Sequence, residues 1–133
     1  MTPTISQRVK FSAPPETLFE MYMDSEKHTA STGAPAKLSR KTGGGWSAHD
    51  RQIGGKISLI EPGKRIVQTW RAGFWRKDEI SILTMTFENA SGGTVVEIVH
   101  VGVPQHDQKG VRKGWPAYYW NRWKKYLAAQ KRK

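Results

Sequence analysis

His100 closes a run of alternating β-branched residues in which Val96, Ile98 and His100 fall on one side. If that side faces the core, the imidazole points inward, where it could orient a ligand or exchange a proton. Catalysis would need a partner positioned for it. Glu97 falls on the opposite side, and nothing in the spacing of Asp50, Asp78 or Glu79 brings them near. The competing reading is a core histidine held by one backbone carbonyl. His28, His49 and His106 are scattered, with no His-x-x-x-His or His-x-His spacing, so no metal site is read. There are no cysteines, which excludes a thiol nucleophile, thiolate zinc sites and a disulfide scaffold. Gly43-Gly44-Gly45 lacks the Lys-Ser/Thr that follows in a phosphate loop, and no serine sits in a nucleophile elbow. No catalytic residue is assigned and no cofactor is expected.

A second set of side chains points to binding. Trp46, Trp70, Trp75, Met85, Phe87, His100, Trp115, Tyr119 and Trp123 are the candidates for lining a cavity. Apolar walls with a few placed polar groups are what a small-molecule pocket requires. Each is also ordinary core material, but as a set their indole N–H and phenol groups call for partners. Gly73-Phe74-Trp75-Arg76-Lys77 puts two aromatics and two cations on a strand connection, where bulk has least structural reason to occur. It reads either as a lid whose cations meet an anionic head group or as a hairpin covering a sheet edge.

Charge marks a third feature. The formal net charge is +11, and residues 108–133 hold nine Lys or Arg with no Asp or Glu. Such asymmetry suits docking on an acidic protein, with Lys113, Arg122, Lys124 and Lys125 as candidates. The plainer alternative is a solvated helix face ending in the basic tail 131–133. Nucleic acid is disfavoured, because the aromatics near these cations lie on a face that must be buried and cannot stack on bases. The amino terminus has no apolar h-region, and no stretch approaches the roughly 20 apolar residues of a membrane span, so a cytoplasmic protein is expected.

The elements that must position these residues follow from periodicity. Ile5, Gln7, Val9 and Phe11 alternate with polar neighbours, the pattern of a half-buried strand. Ser12 is the expected N-cap of a helix opened by Pro14 and Pro15, with Leu18, Phe19, Tyr22 and Met23 on its face. Asp24-Ser25 breaks it, and Ser25 is the expected cap of a short second helix. Strands are predicted at 37–41, 46–51, 54–60, 65–72, 79–88 and 94–103, joined by short turns in an antiparallel meander. A last helix is predicted from about Lys113 to Gln130, with Trp115, Tyr119, Trp120, Trp123, Tyr126 and Leu127 within an arc of about 140°. A helix face of such aromatic weight needs a large concave partner, and the sheet is the only one on offer.

Several stretches carry a family resemblance. Phe11-Ser-Ala-Pro-Pro-Glu-Thr-Leu-Phe-Glu20 resembles the opening of the START-like (SRPBCC) superfamily. Asp24-Ser-Glu-Lys-His28, Gly44-Gly-Trp46, Ile53-Gly-Gly-Lys-Ile57, the stretch from Glu61 to Arg71, His100-Val-Gly-Val-Pro104, Gly114-Trp115 and Tyr119-Trp120 together resemble the C-terminal domain of activators of heat-shock protein 90 ATPase. The resemblance covers about residues 5–127 of a single domain, 1–133. It implies an α+β helix-grip fold (START-like, Bet v 1-like), in which a curved antiparallel sheet of six or seven strands wraps a long C-terminal helix. By the same resemblance, the expected function is non-enzymatic binding of a small hydrophobic or amphipathic molecule between sheet and helix. The alternatives are a protein-interaction module or co-chaperone related to those activators, and a cyclase or dehydratase using His100 and a tyrosine. Full activators carry a separate N-terminal chaperone-binding domain for which 133 residues leave no room, so the resemblance does not extend ATPase stimulation to this chain.

Overall fold

The structure, a computed structural model, describes residues 2–131. Its strands are β1 (Ile5–Phe11), β2 (Lys37–Leu38), β3 (Gly45–Ala48), β4 (Ile53–Glu61), β5 (Arg65–Ala72), β6 (Ser81–Ala90) and β7 (Gly93–Val101). They form one antiparallel sheet of seven strands in the order β1-β7-β6-β5-β4-β3-β2. Alternation sets which face is buried. In β5 Ile66, Gln68, Trp70 and Ala72 face the core, and in β7 Thr94, Val96, Ile98 and His100 do the same. Glu97 lies on the outer face near Arg8. The sheet curves where β4 carries a register shift between Ile57 and Leu59. Gly55 permits the close approach of β5 there, since a Cβ would collide with the Thr69 carbonyl.

Helices α1 (Pro15–Met23) and α2 (Ser25–Thr32) connect β1 to β2. Two cap expectations are corrected. Pro14, not Ser12, occupies the N-cap of α1, with no side-chain hydrogen bond there, because the proline pair already presets the first turn. Asp24, not Ser25, caps α2 by accepting from the Lys27 amide at 3.0 Å. The Ser25 hydroxyl instead accepts from the Leu38 amide at 2.8 Å, tying β2 to α2.

The C-terminal helix begins earlier than predicted. A 3₁₀ turn (Gln105–Asp107) leads into α3 (Gln108–Trp115), a π-helical segment (Pro116–Trp120) and α4 (Asn121–Lys131). Arg132 and Lys133 of the basic tail lie outside the described residues. Pro116 has no N–H to donate to Arg112, so that carbonyl is left without its helical partner. The Gln7 side chain of β1 supplies it, its Nε2 donating to Arg112 O at 2.9 Å. Its other end, Oε1, accepts from Trp120 Nε1 at 2.7 Å. One glutamine thus bridges the irregular segment from both sides. The wider π turn also brings residues five apart into register, and Trp115 and Trp120 stack at 5.4 Å with 18° between their planes. Trp123 then packs edge-on against Phe11 and Trp120, while Phe19 of α1 packs on Phe87. No helix among the described residues is long and apolar enough to cross a membrane.

Candidate functional site

A cleft of about 730 Å³ opens between α3, the π segment and the ends of β3, β4 and β5. Small residues create it. Gly110 and Gly114 of α3, Ala34 after α2 and Ala72 of β5 leave room where larger side chains would close the grip. Ile53, Trp70, Val111, Trp115 and Tyr119 supply apolar wall, and His49, Asp50, Gln52, Asp107 and Arg122 add polar groups. Phe74 and Tyr118 also line it and are 72% and 50% exposed, large rings standing partly in solvent.

The predicted cavity residues separate into two groups. Trp70, Trp115 and Tyr119 reach the cleft wall. Trp46, Trp75, Met85, Phe87, His100 and Trp123 are packed into the core instead, where space-filling by large side chains prevails. Trp46 Nε1 donates to Thr69 O at 2.9 Å, and Trp75 Nε1 to Asp107 Oδ2 at 2.9 Å. Trp75 therefore turns inward and latches the 73–80 connection to the entry of α3, leaving Phe74 at the cleft. Arg76 and Lys77 are exposed and do not line it.

His100 is fully buried and both ring nitrogens are committed. Ser81 Oγ donates to Trp70 O at 2.7 Å, so the His100 Nε2–H must donate to Ser81 Oγ at 2.8 Å. Nδ1 accepts from Trp115 Nε1 at 3.3 Å. Burial pushes its pKa down to about 3. The imidazole is a neutral bridge from sheet to helix, held by side chains rather than by a backbone carbonyl. It offers no open nitrogen to a reacting group. His28 forms the matching node on α2. Its Nδ1–H donates to Tyr22 O at 2.7 Å, and Nε2 accepts from the Tyr119 hydroxyl at 2.9 Å. Burial lowers its pKa to about 4 and raises that of Tyr119.

His49 is different. His49, Asp50 and Arg51 adopt consecutive left-handed conformations, with φ of 51°, 58° and 68°. Histidine and aspartate tolerate this region better than most residues, and arginine has no such excuse. Each non-glycine residue held there costs on the order of 1 kcal/mol. Surrounding bonds hold the turn, with the Asp50 amide donating to Pro35 O at 2.9 Å and Gly73 N to Gln52 O at 2.8 Å. The His49 ring lies 5.4 Å from Tyr118 and 5.2 Å from Tyr119. Burial and the nearby Arg122 charge lower its pKa. Its Nε2 is buried without a hydrogen-bond partner, as is Trp70 Nε1 across the cleft wall.

Of the residues predicted for partner docking, Lys113, Lys124 and Lys125 are exposed. Arg122 belongs elsewhere. It donates to Thr32 O at the end of α2, covers the Tyr118 ring at 5.1 Å and lines the cleft. Sequence reasoning missed His49, Tyr118, Gly110 and Gly114 as cleft residues, and considered Phe74 only as part of a lid or an edge-covering hairpin. Among the described residues no group of three His, Asp or Glu could hold a metal ion.

The model of the family described as "Activator of Hsp90 ATPase homolog 1-like protein" matches residues 12–128. The human activator of 90 kDa heat shock protein ATPase homolog 1 is 30% identical over 115 residues, which is 86% of this chain and 34% of that protein. The Dictyostelium discoideum homolog is also 30% identical over 115 residues, covering 86% of this chain and 30% of its own. The chain spans about a third of the length of the curated relatives it matches. Among solved structures, an HSP90 activator from Plasmodium falciparum has a TM-score of 0.86 at 22% identity, over 96% of this chain and 97% of that one. A protein from Mesorhizobium loti has a TM-score of 0.79 at 17% identity, over 96% and 98% of the two chains. At these identities the structural likeness shows the helix-grip fold alone. The fold is the α+β helix grip, and the chain belongs to the family of activator of Hsp90 ATPase homolog 1-like proteins.

Proposed function

We propose that this protein, as one START-like domain acting in the cytoplasm, binds a small amphipathic molecule in the cleft without transforming it. The observation that carries the reading is a cleft whose apolar walls, Ile53, Trp70, Val111, Trp115 and Tyr119, are joined by the polar side chains of His49 and Arg122. Apolar walls with a few placed polar groups are what a small-molecule site requires. The volume of about 730 Å³ falls in the range of roughly 300–1,000 Å³ that small-molecule sites occupy. Binding rather than catalysis is favoured because His28 and His100 have both ring nitrogens engaged by the protein.

Gly114→Leu tests this cleanly. A Cβ at Gly114 meets only the Tyr118 ring, at 3.6 Å, an ordinary contact. The variant should therefore fold, gaining about 1 kcal/mol of helix propensity, while filling the cleft. Amphipathic compounds that raise the melting temperature of the natural protein should lose that effect in Gly114→Leu. A thermal shift that persists in the variant would place binding elsewhere.

A second reading follows from family membership, since relatives are named as activators of the 90 kDa heat shock protein ATPase. Exposed Lys109, Arg112, Lys113, Lys124 and Lys125 form a basic surface on the C-terminal helix, suited to an acidic face of a chaperone. Charge reversal at Lys113, Lys124 and Lys125 should abolish a salt-sensitive association with the chaperone. Absence of association at low salt would remove this reading.

A further inference from the structure

The polar side chains that line the cleft point to the chemistry of its occupant. Trp70 Nε1 can only donate a hydrogen bond. Arg122 can only donate as well, and Thr32 O takes just one of the five N–H groups a guanidinium carries. His49 Nε2 donates or accepts according to tautomer. The carboxylates at the cleft lie at its edges, Asp107 at the entry of α3, where Oδ2 receives Trp75 Nε1 at 2.9 Å, and Asp50 on the exposed turn. Arg122 is the one permanent cation among the described residues that line it, and most of its N–H groups are open.

We propose that the occupant is an amphipathic oxyanion, a carboxylate or sulfonate on a flat apolar body, with its head group between His49 and Arg122 and its body along Trp70, Trp115 and Tyr119. The inference rests on the cleft being a binding site and adds which class of molecule it selects. The turn geometry supports it. Three successive left-handed residues hold the His49 imidazole beside Tyr118, Tyr119 and Arg122, and strain of this kind gathers where a side chain must be placed for a ligand.

The arrangement also couples binding to protons. The groups around His49 are Arg122 from α4, Tyr118 and Tyr119 from the π segment, His28 from α2, and Asp50 and Arg51 from its own turn. Burial and the Arg122 charge lower the pKa of the ring. An oxyanion between the two offsets the Arg122 charge and favours the imidazolium. Binding then takes up a proton, so affinity rises as pH falls.

Two fluorescent probes with nearly the same body test this. Anilinonaphthalene sulfonate carries an anion at every relevant pH, and N-phenylnaphthylamine lacks it. The sulfonate is expected to bind the intact protein about tenfold tighter than the neutral probe. Its affinity should rise by several-fold, up to about tenfold, from about pH 8 to about pH 5.5, while that of the neutral probe stays flat. His49→Asn, which tolerates the left-handed backbone, should flatten the pH profile. Arg122→Gln should erase the preference for the anion, and Arg122→Lys should restore part of it. Lys124→Glu with Lys125→Glu should change nothing, which separates the cleft from the basic surface. Equal affinities for the two probes, both lost in Gly114→Leu, would overturn the oxyanion assignment and leave the cleft as a binding site. Probe binding indifferent to Gly114→Leu would overturn the cleft reading itself. The pH profile of the unsubstituted protein decides the oxyanion question even if the variants fold poorly.

Discussion

Burial lowers the pKa of three histidines of this protein, yet they sit in two different kinds of place. His28 and His100 lie deep under the C-terminal helix, each with one nitrogen donating and the other accepting. His49 lies at the cleft, on a strained turn, with Nε2 unpartnered. The first pair ties sheet and α2 to the helix. They are polar bolts in an aromatic core, specifying one rotamer each for Trp115 and Tyr119. His49 ties nothing together through that nitrogen. On the proposed reading, the same side chain serves structure where its hydrogen bonds close on the protein and recognition where they stay open. Inward position on a strand singles out His100 in the sequence, and the structure commits both of its ring nitrogens to the protein.

The largest test of this contrast is acid. In the unfolded chain a histidine titrates near pH 6.5, while in the folded protein His28 and His100 titrate at about 4 and about 3. Both shifts are downward, so the unfolded state takes up protons first. Stability from the two neutral rings is complete above about pH 6.5 and is lost as pH falls toward the folded values. At pH 4 each costs on the order of 3 kcal/mol. Between about pH 6.5 and pH 5 most carboxylates stay ionised, so urea midpoints in that window report the histidines. A stability that is flat across it would mean that these rings are not locked neutral.

A smaller effect comes from loosening one bolt. Tyr119→Phe removes the hydroxyl that donates to His28 Nε2 and leaves a buried acceptor without a partner. The cost should be about 1–2 kcal/mol in chemical denaturation. Because Tyr119 also lines the cleft through its ring, which phenylalanine preserves, probe binding should change much less than stability. Equal losses of both would blur the division between the two regions.

Most of the fold is legible in the sequence because it rests on short periods. Alternation in β5, β6 and β7 is strict enough to assign both faces, and the aromatic stripe from Trp115 to Leu127 demands a concave partner. The start of the C-terminal helix is misread, since Gly110 and Gly114 weaken its first turns and the Asp107 carboxylate serves Trp75 rather than a cap. The two helix caps are misread as well, and the strand predicted at 46–51 stops at Ala48, where the left-handed turn begins. The site is far less legible, for a physical reason. Large aromatics attract attention as cavity residues, but Met85, Phe87 and Trp123 fill space, as large side chains in a close-packed interior must. The cleft exists where Gly110, Gly114, Ala34 and Ala72 decline to fill it. A void made by small residues on separate elements leaves no local pattern. Nor does the His49-Asp50-Arg51 turn, which lacks the glycine or asparagine that usually announces positive φ.

That missing glycine supplies the finest test. Arg51 holds a φ of 68° with an ordinary side chain, so Arg51→Gly relieves a steric penalty on the order of 1 kcal/mol. Glycine also makes the unfolded chain more flexible, which offsets roughly half of that gain. A net stabilisation of about 0.5 kcal/mol is expected, readable as a small rise in the urea midpoint. If the turn's strain exists to hold His49 in place, the same substitution should weaken binding of the anionic probe, because a glycine turn samples more backbone conformations around the imidazole. Stability and affinity would then move in opposite directions at one position. No such opposition is expected at Tyr119, where a satisfied hydrogen bond and the core it supports share one fate. A variant that gained stability and kept full affinity would show that the left-handed turn is a tolerated irregularity of the β3–β4 connection, and that His49 is placed by its packing against Tyr118 and Tyr119 alone.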